Sequence, residues 1–141
     1  MIFLKKIDNL INNFMGRFYI FPQFLLRVTL GTAFIIHGYS KFPLPPQNLI
    51  KFFNFSPLLA SMVSIFEILA GGLLIISGLF TNYIGSLLTR ISGLIILVIM
   101  VCALNIAHRD WFITTKLFTS EQIFLLTIGM YFLVVGNKKI K

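Results

Sequence analysis

Long apolar stretches, each with an isolated charged residue, outline this chain. They run from about Ile20 to Tyr39, Pro57 to Phe80, Tyr83 to Ala107 and Thr119 to Gly136. Arg27 lies within the first, Glu67 within the second and Arg90 near the start of the third, while Glu121 falls in the opening turn of the fourth. Each segment is close to the ~20 residues a helix needs to cross ~30 Å of hydrocarbon. A backbone in that medium must satisfy its own hydrogen bonds, so all four segments are expected to be helices.

The stretch before them has a different period. In MIFLKKIDNLINNFMGRFY, Phe3, Ile7, Leu10, Ile11, Phe14 and Phe18 recur on one helical face, and Lys5, Lys6, Asn9, Asn12 and Asn13 fall mostly on the other. This pattern predicts an amphipathic helix over residues 1–19 lying on a membrane surface. It has neither the continuous apolar run nor the cleavage site of a signal peptide.

The joints are also legible. SKFPLPPQNLIKFFNFSP contains Pro43, Pro45, Pro46 and Pro57 and cannot continue a helix. Its aromatic middle, NLIKFFNF, suits the membrane interface. The short FTNY joint (Phe80–Tyr83) implies an antiparallel hairpin of the second and third helices. Trp111 and Phe112 suit the headgroup region. Thr119 and Gln122 have the spacing of a helix capping box. The expected fold is an all-α integral membrane four-helix bundle over residues 20–136, preceded by the interfacial helix and followed by a basic tail, 137–141.

Composition sharpens this picture. Of 141 residues, 57% are hydrophobic and 11% charged, with a mean hydropathy of +0.93. Soluble domains are roughly half apolar and about a quarter charged. The net charge of +8 would suggest nucleic acid in a soluble protein. Here the basic residues gather at the ends, as Lys5, Lys6 and Arg17, then Lys138, Lys139 and Lys141. That distribution implies a multi-pass protein of the cytoplasmic membrane with both termini cytoplasmic, touching lipid rather than nucleic acid. The single cysteine, Cys102, excludes an internal disulfide or a Cys-x-x-Cys pair. Two histidines and two carboxylates spread over four helices, without His-x-x-x-His or Glu-x-x-His spacing, give no metal motif.

Intramembrane charges are expensive and usually face a partner or a wet cavity. Counted from the helix ends, Arg27 and Arg90 lie ~10 Å deep and Glu67 ~15 Å deep. Glu67 is therefore expected to pair with Arg27, Arg90 or both. A second polar layer, His37, Lys41, His108, Arg109 and Glu121, is expected nearer the outer surface. Arg90 and His108, about five helical turns apart, would share one face of the third helix. Ala60, Ser64, Glu67, Gly71 and Gly78 fall within about 60° of one another at ~100° per residue, and Arg27, Gly31 and Gly38 do the same. With Gly72, these glycines are candidate packing positions, because small residues let helices approach in lipid. Two readings of the charges stand side by side. One is an ion-pair network that fixes the bundle; the other is a ligand pocket or proton relay built from the same groups. His37 and His108 are either interfacial residues bonded to a neighbour or groups that titrate near neutrality. Lys41 reads equally as a snorkelling side chain, and Glu121 as a carboxylate favoured by the helix dipole.

The motifs RVTLGTAFIIHGYSK (Arg27–Lys41) and EILAGGLLIISGLFT (Glu67–Thr81), with the later acid Glu121, resemble the DoxX family of small four-helix bacterial membrane proteins. The resemblance extends over about Pro22 to Gly136. Arg27, His37, Gly38, Lys41, Glu67, Gly71 and Gly72 match its pattern. The chain departs from it at Asn82, where the family often has arginine after the threonine, and in its final GNKKIK. The resemblance implies a membrane subunit of a redox or oxidative-stress complex, with quinone as its possible cofactor and redox subunits or a second copy as partners. The sequence has no haem-ligand pair at a shared depth, no cysteine cluster and no dinucleotide fingerprint, so an electron carrier would come from a partner or from quinone. The alternatives are a small-solute or proton-coupled transporter, with Glu67 as coupling group, and a purely structural or assembly protein.

Overall fold

The computed structural model describes residues 2–18 and 20–137. Lys138, Lys139 and Lys141 of the basic tail lie outside the described residues. Those described form α1 (Ile2–Met15), a 3-10 turn, α2 (Ile20–Tyr39), α3 (Gln47–Phe53), α4 (Pro57–Ser77), α5 (Tyr83–Ile106), a second 3-10 turn, α6 (Lys116–Thr119) and α7 (Glu121–Val135). No strand occurs among them.

The protein is an all-α bundle with membrane character. α2, α4 and α5 are long and apolar enough to cross a bilayer. α7 has 15 residues, about 22 Å, and is the short member of the bundle. The burial pattern departs from that of a soluble protein, with polar side chains inside beside the apolar core and many large apolar ones outside. Arg27, Ser64, Glu67, Ser77, Thr89 and Ser92 are buried, while Leu58, Leu79, Leu87, Phe124 and Val134 are exposed. Water would penalise so much exposed apolar surface, whereas acyl chains accept it. The apolar face of α1, including Phe3, Leu10 and Phe14, is likewise exposed.

Local signals explain the helix ends. The Ser56 hydroxyl accepts from Leu59 N at 3.2 Å, with Pro57 at the first helical position of α4. Asn82 accepts from Gly85 N at 3.1 Å and starts α5 after the short joint. The capping box expected at Thr119 and Gln122 does not form. Thr119 ends α6, and its hydroxyl donates back to Thr115 O and Lys116 O, so α7 starts at Glu121.

α2 packs on α4, α4 on α5, and α5 on α7, while α2 and α7 meet over a shorter stretch. Glycines set the two closest crossings. A Cβ on Gly31 would stand 2.8 Å from Gly71 O, and one on Gly38 2.7 Å from Ser64 O. On the other side of the bundle, a Cβ on Gly93 would stand 2.6 Å from Leu133 N and 2.8 Å from Gly129 O. Gly72 has no such role: a Cβ there meets nothing within 4 Å, because one residue's rotation turns it away from the face Gly71 occupies. Between the crossings, Leu30, Phe34, Ala70, Leu74, Ile96, Met100 and Phe132 form the buried core. Ser92 ties α5 to α4 through a 2.6 Å bond to Ala70 O.

Candidate functional site

The glycine crossings fix the register of α2 against α4, and the register decides which charges meet. Gly31 is level with Gly71 and Ile75, and Gly38 with Ser64 and Glu67. Arg27 is consequently level with Ser77 and Gly78, at the last turn of α4. The ten helical steps of α4 from Glu67 to Ser77 rise about 15 Å, more than an arginine bridges. The expected pairing of Glu67 with Arg27 or Arg90 is therefore not made. Depths counted from each helix's own end concealed this offset. Glu67 instead forms an ion pair with Lys41, which lies just past the end of α2.

At the other end, Arg27 is a tether built from neutral acceptors. Its Nη1 donates to Leu74 O at 2.7 Å, Ser77 Oγ at 2.9 Å and Thr89 Oγ1 at 3.0 Å. Its Nη2 donates to Asn137 Oδ1 at 2.6 Å, and its Cζ lies 4.8 Å from the centre of the Phe132 ring. Asn137 in turn donates to Ser77 O at 2.7 Å and Phe80 O at 2.9 Å. One guanidinium thereby connects α2, α4, α5 and the turn after α7. Arg90 donates to Leu133 O of α7 at 2.9 Å. Sequence reasoning missed Asn137, Ser77 and Thr89. The available signal was the need of a buried guanidinium for several acceptors, met by hydroxyls near the ends of apolar helices.

The candidate site residues thus divide between two ends of the bundle. Arg27 and Arg90 occupy one. His37, Lys41, Glu67, His108 and Glu121 occupy the other. There His37 Nε2 lies 3.4 Å from Glu121 Oε1, with both side chains substantially exposed. His108 follows the end of α5 rather than extending its face beyond Arg90, and its ring stacks on Trp111 with centroids 3.7 Å apart.

A cavity of about 660 Å³ opens at this second end. His37, Lys41, Glu67, His108 and Gln122 supply its polar lining. Phe53 and Phe55, on and after α3, line it together with Phe34 and Phe66. The rest is mostly aliphatic, from α4, α5 and α7. Phe66 of α4 and Leu94 and Val98 of α5 line the cavity while remaining exposed on the bundle surface. The cavity therefore meets the lipid-facing surface between α4 and α5. Its volume lies within the range of small-molecule sites, roughly 300–1,000 Å³. An ion pair in a mostly apolar wall suits a ligand with a polar head and an apolar body.

A family model described as DoxX matches residues 23–109. The chain belongs to the DoxX family. The match takes in α2 to α5, and with them Arg27, His37, Lys41, Glu67, Arg90 and His108. α7, with Glu121 and Gln122, lies beyond the matched stretch. Comparison of this DoxX protein with curated proteins and with solved structures gives no match.

Proposed function

We propose that this DoxX protein is a membrane subunit of a redox assembly and holds a quinone head in the cavity beside Lys41 and Glu67. The observation that carries this reading is the Lys41–Glu67 pair in the wall of an otherwise apolar 660 Å³ cavity. A quinone carbonyl accepts hydrogen bonds, and Lys41 and His37 have donors to offer. The exposed flank of Phe66, Leu94 and Val98 lets an apolar tail remain in lipid. A bound quinone would supply two-electron redox chemistry; the chain's own residues bind and orient the head and exclude water. The electron donor belongs to a partner subunit. Lys5, Lys6 and Arg17 support an orientation with the termini on the cytoplasmic side of a bacterial membrane.

Trp111 offers a test without activity. It is the chain's single tryptophan, it stacks on the cavity-lining His108, and quinones quench indole emission. Titration of a short-chain quinone into protein in lipid nanodiscs should give saturable quenching, which Ala103→Phe abolishes by filling the cavity. Saturable quenching unchanged in Ala103→Phe, or none in the parent, would refute the assignment.

A further inference from the structure

The other end of the bundle has a separate cavity with a different chemistry. It measures about 460 Å³ and is lined by Thr81, Asn82, Tyr83, Ser86, Leu87, Arg90 and Asn137. Six of these seven residues carry a hydroxyl, amide or guanidinium group, although most of the surface they present to the cavity is apolar, and Leu87 and Tyr83 are exposed. Two arginines flank the Gly136–Asn137 turn. Arg27 bonds Asn137, and a Cβ on Gly136 would lie 3.1 Å from Arg90 Nε.

Among the described residues, no carboxylate pairs with either arginine. The chain's acids are Asp8, Glu67, Asp110 and Glu121. Glu67 is taken by Lys41 and Glu121 faces His37. Among the described residues, neither Arg27 nor Arg90 forms an ion pair. Arg27 is buried and already bonded to several acceptors. Arg90 is half-buried, lines the cavity, and spends one donor on Leu133 O. A guanidinium has five donors, so Arg90 retains capacity for a second acceptor. The exposed apolar Leu87 stands beside it. A cationic pocket edged by lipid-facing side chains suits an anion carried on an acyl chain.

We infer that this cavity binds the phosphate headgroup of an anionic phospholipid, with Arg90 and the Ser86 hydroxyl toward the phosphate and Leu87 along the acyl chain. The site is independent of the quinone proposal, which concerns the opposite end.

The test is thermal unfolding of the full chain in neutral detergent with added phosphatidylglycerol, phosphatidylcholine or inorganic phosphate. Phosphatidylglycerol should raise the unfolding temperature well beyond phosphatidylcholine, and inorganic phosphate should leave it unchanged. Arg90→Gln should remove more than half of the phosphatidylglycerol shift. A second variant, Tyr83→Glu, places a carboxylate at the mouth of the cavity and in the first turn of α5, where the helix dipole tolerates it; it should also suppress the shift. Lys5→Gln with Lys6→Gln should preserve it. An equal response to inorganic phosphate would overturn the lipid assignment. So would a shift that survives Arg90→Gln and Tyr83→Glu, or one that disappears with the lysines of α1.

Discussion

Lys41, beyond the last turn of α2, reaches Glu67 in the middle of α4 and neutralises it at the wall of the larger cavity. Glu67 is buried, while Lys41 is about one-fifth exposed. Breaking a buried pair from one side costs about 3–5 kcal/mol, and the partial exposure of Lys41 places Glu67→Gln near the lower end, about 3 kcal/mol. Unfolding in detergent measures this directly. Lys41→Met combined with Glu67→Gln should recover much of the loss, because no buried charge is then stranded.

Arg27 should resist conservative replacement. A lysine has no planar fork with which to reach Leu74 O, Ser77, Thr89 and Asn137 together. Hydrogen bonds to charged groups contribute about 1.5–3 kcal/mol. Arg27→Lys should therefore destabilise the bundle by at least about 2 kcal/mol in denaturant titration, and Asn137→Ala should have a similar effect.

Gly71 and Gly72 should behave oppositely although they are adjacent. A Cβ on Gly71 overlaps Gly31 O, and overpacking costs about 1–3 kcal/mol. Gly72→Ala meets open space and should leave the unfolding temperature unchanged or slightly raised, since alanine is the better helix former. Comparing the two melting curves separates packing from helix propensity.

The His37–Glu121 contact should matter little to stability. Both side chains are substantially exposed at 3.4 Å, and exposed pairs contribute about 0–1 kcal/mol. Glu121→Gln should therefore shift stability by less than about 1 kcal/mol in the same unfolding assay.

Hydropathy and spacing made the helices legible, and the Gly31–Gly71 and Gly38–Ser64 crossings follow the small-residue stripes on α2 and α4. The ion pairing was less legible. A stripe shows which face of a helix packs, but not how far one helix is displaced along another. Arg27 and Glu67 share the packed faces of α2 and α4 yet stand about 15 Å apart along the bundle. Asn137 was hidden for another reason: polar residues after a last apolar helix look like a solvated tail, and its contacts are with residues distant in sequence. Trp111 showed its interfacial character in the sequence, but its stacking on His108 depends on the fold of the segment after α5.

The most direct test of a ligand site at the Lys41–Glu67 pair is an experimental density map of the protein purified from membranes. The predicted result is headgroup density within hydrogen-bond distance of Lys41 or His37, continuous with a tail leaving past Phe66, Leu94 and Val98. A cavity packed with the chain's own side chains, or Glu67 paired with an arginine in place of Lys41, would contradict it.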